Sequence, residues 1–354
     1  MDHIAIDLGS RESQICIRTA DGALVEEHRL PTMSLPAFLN KRSPGARVIL
    51  ESCAEAFAVA DAARAAGHDP VVVPASLAPS LGVGHRGIKT DSRDGRNLSE
   101  ASCRMSRLPS VHVPTQQSRE RKAMCASREG LIEVRTKLIN TSRGWMRSQG
   151  LGVIRSGSPT TLPHRLREHV RAKKHDLPPH IERVLLTIEQ LTLQIVAADA
   201  ELEAAAAADP TCQLLMTAPG VGPLTAVRFA AAIDAVERFP NAHELESYLG
   251  LTPGESSSSD RKRRTGLTKA GSTRVRWALI QASWAARRFY KEDPLIQWSQ
   301  VVEKRRGKNV AVTALARRLA GVLYAMWRDK APYDQNYRPR TEPTPVMPAA
   351  PAST

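Results

Sequence analysis

HIAIDLGSRESQICIRTADGALVEEHRL, residues 3–30, decides what kind of fold the chain begins with. It reads as three short strands: HIAIDL at 3–8, QICIRT at 14–19 and ALVEEHRL at 23–30. Asp21-Gly22 supplies a hairpin turn signal between the second and third. Further on, RVILES at 47–52 is an apolar run suited to a buried strand. AEAFAVADAARAAG at 54–67 is an alanine-rich helix ending at Gly67, and HDPVVVPA at 68–75 gives another strand. Strands first, then alternating strand and helix, predict a mixed α/β sheet over about residues 1–105.

Beyond the sheet the pattern turns helical. Residues 115–149 have helical spacing and many charges, with Leu131, Val134, Leu138 and Trp145 as candidates for one face. SGSPTTLP at 156–163 is a loop. A second long helix is expected over 178–208, with Ile181, Leu185, Ile188, Leu191 and Ile195 at helical spacing. The spacing leaves open whether these helices pack on each other or on a second subunit. Residues from Thr211 to about Lys330 have the composition of a compact helical domain, and the Pro-rich stretch that follows is expected to be disordered. The expected segments are 1–108, 109–210, 211–330 and 331–354.

A chain of 354 residues suggests two domains, and 42% hydrophobic content is enough for real cores. The formal net charge of +14, with a pI near 10.0, points to a polyanionic partner, most often nucleic acid. Five cysteines stand singly with no CxxC or CxxH pair, which argues against a zinc site and fits a reducing compartment. MDHIAIDLGS has no basic leader followed by a long apolar run, and no apolar window is expected to reach the ~18 residues of a membrane span. The expected location is the cytoplasm or nucleoid, with no membrane partner.

Four acidic residues are candidates for chemistry. Asp7 ends the first strand, Glu51 ends a later one, and Asp91 and Asp94 stand three apart at the start of a probable helix, so they share a face. Singly, Asp7 reads as a turn former, Glu51 as a surface residue, and Asp91 as a helix N-cap with Asp94 favoured by the helix dipole. Together they form a cluster that is repulsive unless divalent cations neutralise it. Oxygen-only ligands select Mg²⁺ or Mn²⁺, and two such ions about 4 Å apart serve in-line displacement at a phosphodiester. IDLGS also resembles the first phosphate loop of the actin and sugar-kinase superfamily. The further loops which that reading requires are absent from the sequence.

Two later motifs point toward nucleic acid. APGVGPLTAVRFAAAI at 218–233 matches a helix-hairpin-helix signature. Gly220 and Gly222 would let backbone N–H groups approach a phosphate at a helix N-terminus; the plainer alternative is an ordinary Gly/Pro turn. GLTPGESSSSDRKRRTGLTKAG at 250–271 runs four serines into Arg261, Lys262, Arg263 and Arg264. Taken alone it reads as a flexible basic linker.

Taken in order, Asp7, Glu51, Asp91/Asp94, PGVGPLTA, GLTP, the serine cluster, TKAG and RVRWALIQA resemble the DEDD insertion-sequence transposases. That family includes the pilin-inversion recombinases and the bridge-RNA-guided recombinases, and the resemblance covers about residues 3–330. It implies an N-terminal RNase H-like, RuvC-type mixed sheet, a helical coiled-coil connector, and a C-terminal helical transposase domain containing the helix-hairpin-helix. It implies a metal-binding tetrad at Asp7, Glu51, Asp91 and Asp94, loaded with Mg²⁺ or Mn²⁺. Counting five residues from Pro253 of GLTP puts the nucleophilic serine at Ser258, with Ser257 its nearest rival. Arg261, Lys262, Arg263 and Arg264 would hold phosphates, and Lys269, Arg274 and Arg276 would carry the basic surface onto the next helix.

The implied partners are element and target DNA, a structured guide RNA, and further copies of the chain in a dimer or tetramer. The chain departs from the family pattern in two places. Ser259 and Asp260 stand where glycines are common after the serine, and Cys53 stands in ESCAEAF where a Thr-Gly turn is common. Two other readings compete: a metal-dependent RuvC-like nuclease or junction resolvase without serine chemistry, and a non-catalytic nucleic-acid-binding protein.

Overall fold

The computed structural model describes residues 1–77, 91–155, 157–258 and 261–335. Of Asp91–Asp94, Glu255–Ser258 and Arg261–Thr265 it describes the backbone alone. Ser259, Asp260 and the Pro-rich tail expected to be disordered lie outside the described residues. The chain divides into two compact units, residues 1–114 and 115–354.

The first unit is built on a five-stranded sheet. Its strands are β1 (His3–Asp7), β2 (Glu12–Arg18), β3 (Leu24–Pro31), β4 (Arg47–Glu51) and β5 (Asp69–Val73), in the order β3-β2-β1-β4-β5. β1, β2 and β3 pair antiparallel, and β1, β4 and β5 pair parallel. The Asp21-Gly22 turn falls between β2 and β3, with Gly22 at φ +89°. Alternation along the strands separates two cores. On one face Ile4, Ile6, Val48 and Leu50 pack with Leu35 and Leu39 of α1 (Leu35–Asn40) and Val59 and Ala63 of α2 (Ala56–Ala65). On the other, Ala5, Ile49 and Val73 pack with Leu98 and Ala101 of α3 (Asp91–Arg104). This mixed sheet, covered by helices on both faces, is consistent with the RNase H-like architecture expected from the sequence. The short helix α1 is the element that the sequence pattern does not reveal.

The second unit is mostly helical. Its long helices α4 (Gln116–Ser148) and α6 (Pro179–Ala207) pack on each other within the chain, one of the two arrangements left open by their spacing. The pairing is antiparallel: Arg121 meets Asp209, Arg128 meets Asp199, and Arg135 Nη1 donates to Thr192 Oγ1 at 3.3 Å. The buried side of α4 is the one anticipated at Leu138 and Trp145, which pack against a core, but not at Val134. Cys125, Ile139 and Met146 are buried, whereas Val134 is 50% exposed. Packing against α6 and α5 (Leu162–Ala172) selects that stripe, because Ile139 and Met146 share a core with Leu166, Leu185 and Ile188.

At the other end of the helix pair, Cys125, Leu202 and Ala206 enter the main core of the unit. That core is built from α7 (Pro210–Leu215), α8 (Pro223–Ile233), α9 (Ala242–Tyr248), α10 (Thr273–Phe289), α11 (Pro294–Arg306) and α12 (Lys308–Asp329). The helical connector and the C-terminal helices therefore form one compact unit. Contrary to the expectation that no apolar window would reach membrane-span length, α12 is long and apolar enough by composition. Its apolarity has a packing reason: Leu315, Ala316, Leu319, Ala320 and Leu323 lie at the centre of the core.

Candidate catalytic and nucleic-acid-binding site

Asp7 closes β1 and Glu51 closes β4, and the register of this parallel pair, Ile6 opposite Leu50, makes the two strand ends neighbours. Residues two apart along a strand share a face, so Asp7 follows Ala5 and Glu51 follows Ile49 onto the side covered by α3. The direction of α3 is fixed by its contacts. Ser102 Oγ lies 2.6 Å from His3 Nδ1, at the start of β1. Ser99 Oγ accepts from Arg18 Nε at 2.9 Å, and Gly95 lies against Gln14 and Cys16 of β2. Gln14 is the residue paired with Asp7. The helix therefore runs back along β1, and its first turn, which carries Asp91 and Asp94, arrives at the strand ends that carry Asp7 and Glu51.

Local chemistry supports this end of the sheet. A side chain at Gly9 would place Cβ 2.3 Å from the Glu12 carbonyl oxygen, so the tight turn after Asp7 excludes other residues. At the opposite end, burial and the Arg47 guanidinium push the His3 imidazole below its usual range and favour the neutral ring beside Ser102. Among the described residues no three His, Cys, Asp or Glu side chains gather as a metal site. Of the expected tetrad, the side chains of Asp91 and Asp94 lie outside that description.

In the second unit, the serine-rich stretch is a hairpin where, taken alone, it read as a flexible basic linker. β6 (Pro253–Ser258) and β7 (Arg261–Leu267) pair antiparallel, with Ser258 opposite Arg261, Ser257 opposite Lys262 and Ser256 opposite Arg263. GLTP and TKAG form the two halves of a clamp at its base. Thr268 N donates to Thr252 O at 3.0 Å, and Lys269 N donates to Gly250 O at 3.2 Å. Gly250 sits at φ +67°, and a Cβ there would fall 2.7 Å from Ala270 N. A Cβ on Gly271 would fall 2.0 Å from the Tyr248 carbonyl oxygen. The two glycines thus let the segments cross in contact.

Arg276 locks that crossing and corrects the expectation of a surface role. It is 7% exposed, and its guanidinium donates to Leu249 O at 3.1 Å, Gly271 O at 2.5 Å and Thr273 Oγ1 at 3.0 Å. A planar fork with several donors satisfies carbonyls on both halves of the clamp at once. Lys269 is exposed at φ +55°. Arg274 is 54% exposed and ion-paired with Glu129 of α4 at 2.8 Å. Glu129 also holds the buried Arg228 of α8 at 2.5 Å. Sequence pattern gives no signal for Glu129 or Arg228, because their partners come from distant elements.

The Gly-x-Gly turn lies between α7 and α8. Gly220, at φ +77°, is pressed onto α10: a Cβ there would fall 2.2 Å from Ala282 O and 2.7 Å from Ala286 N. Gly222 caps α8 with open space around its Cβ position. The first glycine therefore serves helix packing, and the second leaves the α8 N-terminus approachable.

A DEDD-type transposase family model, described as "Transposase", matches residues 4–149. A model described as the transposase IS116/IS110/IS902 family matches residues 212–296. The chain is 31% identical over 244 residues to the transposase for insertion sequence element IS1111A of Coxiella burnetii, covering 67% of this chain and 66% of that protein. It is 27% identical over 337 residues to the transposase for insertion sequence element IS1328 of Yersinia enterocolitica, covering 91% of this chain and 96% of that one. A probable family 20 transposase of Pseudomonas aeruginosa is 28% identical over 294 residues, covering 81% and 85% of the two chains. The chain belongs to the DEDD-type IS110 family of insertion-sequence transposases.

Proposed function

We propose that the chain mobilises an insertion sequence by cutting and rejoining DNA through a phosphoserine link, with a divalent metal held by Asp7, Glu51, Asp91 and Asp94. What carries the reading is the antiparallel run of α3 along β1, which brings the 91–94 turn to the ends of β1 and β4. Four carboxylates at one end of a sheet suit a hard cation with oxygen ligands, Mg²⁺ or Mn²⁺. Bound there, such an ion supplies charge stabilisation at the scissile phosphate and eases loss of the attacking hydroxyl's proton. Ser258 Oγ attacks phosphorus, the bond to the 3′ oxygen breaks, and the departing strand leaves as a 3′ hydroxyl. The phosphoserine link conserves the phosphodiester energy, so rejoining to a new strand requires no nucleotide cofactor.

The hairpin clamp presents Ser258 on a strand fixed at its base by Gly250, Gly271 and Arg276. Arg261, Lys262, Arg263 and Arg264, with Lys269 and Arg274, supply cations for phosphates. The Gly220-x-Gly222 turn acts as the helix-hairpin-helix contact, with the open N-terminus of α8 toward the backbone of DNA. Specificity comes from a structured guide RNA that pairs with donor and target. The +14 charge and 4% aromatic content suit a protein that binds polyanions and leaves base reading to pairing. The working form is a dimer or tetramer in which the acidic cluster of one copy meets the serine hairpin of another, acting on DNA in the nucleoid.

The test is to purify the protein from cells carrying its native element and to sequence the nucleic acid that stays bound. One dominant structured RNA, encoded beside the gene and complementary to the element junction and insertion site, is expected. Heterogeneous nucleic acid would remove guidance from the account. Strand exchange by Asp91→Ala is expected to be lost, and undiminished exchange would remove the tetrad.

A further inference from the structure

α10 turns a basic and aromatic stripe to solvent. Its inner face is buried through Val275, Ala278, Leu279, Ala282 and Ala286. The outer face carries Arg274, Trp277, Gln281, Trp284 and Arg288, spaced by three or four residues so that they share one side. Trp277 is 50% exposed and Trp284 is half-buried, with Lys308 Nζ 5.0 Å from its ring centroid. The helix sequence, TRVRWALIQASWAARRF, contains no acidic residue. Overall aromatic content is 4%, yet two of the five tryptophans stand on this one stripe. The helix begins two residues after Gly271, where the base of the serine hairpin ends.

We propose that the outer face of α10 binds unpaired single-stranded DNA, its tryptophans stacking on exposed bases while Arg288, Lys308 and Arg274 meet the phosphates. The inference rests on the reading that the chain cuts and rejoins DNA, since strand exchange is what unpairs a strand beside the hairpin. Half-exposed tryptophans have a use on such a strand, because the faces of unstacked bases are open to them. In a duplex those faces are already stacked. Trp277 and Trp284 lie seven residues apart, about 10 Å along the axis, which is room for bases splayed from a bent strand. A second copy of the chain is the less suitable occupant. Two such acid-free basic helix faces repel when set against each other, whatever contacts the copies make elsewhere.

The test compares wild type, Trp277→Ala and Trp277→Phe by fluorescence anisotropy. The probes are labelled oligothymidine, the RNA equivalent and a duplex of equal length. Trp277 is half exposed and outside the core, and Trp277→Phe preserves an aromatic face. Trp277→Ala is expected to weaken single-stranded DNA binding about tenfold, by loss of a stacking contact, while duplex affinity stays within about twofold. Trp277→Phe is expected to recover most of the loss. Equal weakening on duplex, no weakening at all, or a loss confined to the RNA probe would each overturn the assignment. If wild type bound none of the DNA probes, the DNA-exchange reading would fall with it. If wild type bound DNA and Trp277→Ala were silent, this inference alone would fall.

Discussion

A single residue separates the serine account from its rivals. Ser258→Ala is expected to remove strand exchange, by at least about a thousandfold, while a water-using nuclease would keep its activity. Ser257→Ala is expected to retain most exchange, because neighbouring residues of a strand alternate between faces and the two hydroxyls are not interchangeable. Quantifying joined product for both variants discriminates them. Arg276 shows the opposite case, a residue whose charge suggests DNA but whose partners are carbonyls. Arg276→Lys is expected to cost about 2 kcal/mol in urea unfolding and to leave the salt dependence of DNA binding unchanged. Gly271→Ala is expected to cost about 2–4 kcal/mol, since Cβ has no room beside Tyr248 O. The motif letters GLTP and TKAG were legible in the sequence. Their mutual clamp was not, because it is made by two segments crossing, and an arginine's destination depends on which carbonyls the fold brings to it.

Among the elements, the strands of the first unit were read most faithfully. The short apolar runs at 3–8, 14–19 and 47–52 are local signals, and the sheet turns successive residues of β1 and β4 alternately to the α1/α2 face and the α3 face. The buried face of α4 was misjudged at Val134 because a charged 33-residue helix offers several apolar stripes, and its partners choose among them. Ile139→Ala is accordingly expected to destabilise by about 2–4 kcal/mol, and Val134→Ser by less than about 0.5 kcal/mol, in chemical denaturation. Acid acts on the first unit through β3. Hydrogen bonds from Arg42 and His28 hold the Glu26 carboxyl at about 2, below its ordinary 4.5. A depressed carboxylate contributes stability above pH 4.5 that fades as the pH falls toward 2. With both side chains about one-third exposed, solvent screening reduces that contribution to about 1 kcal/mol. Glu26→Gln is expected to lower stability at pH 7 by that amount and to narrow the gap between pH 7 and pH 3 unfolding curves.

On the scale of the whole molecule, a sheet unit with an acidic end and a helical unit with a serine hairpin divide the proposed chemistry between them. The turn from strand pattern to helical pattern was legible along the chain. The merging of the long helices with the C-terminal core was not, since Cys125, Leu202 and Ala206 reach that core only through tertiary packing. Metal and charge should separate in solution. Chelation of divalent cations is expected to abolish cleavage while leaving DNA binding intact, and binding is expected to weaken steeply with salt. The most direct measurement is to incubate the protein with the junction DNA of its own element and Mg²⁺, denature, and map the DNA-linked peptide by mass spectrometry. We expect a covalent adduct on the peptide containing Ser258, absent in Ser258→Ala. Cleaved DNA without any protein adduct, or undiminished cleavage by Ser258→Ala, would contradict the phosphoserine account and leave an acidic-site nuclease in its place.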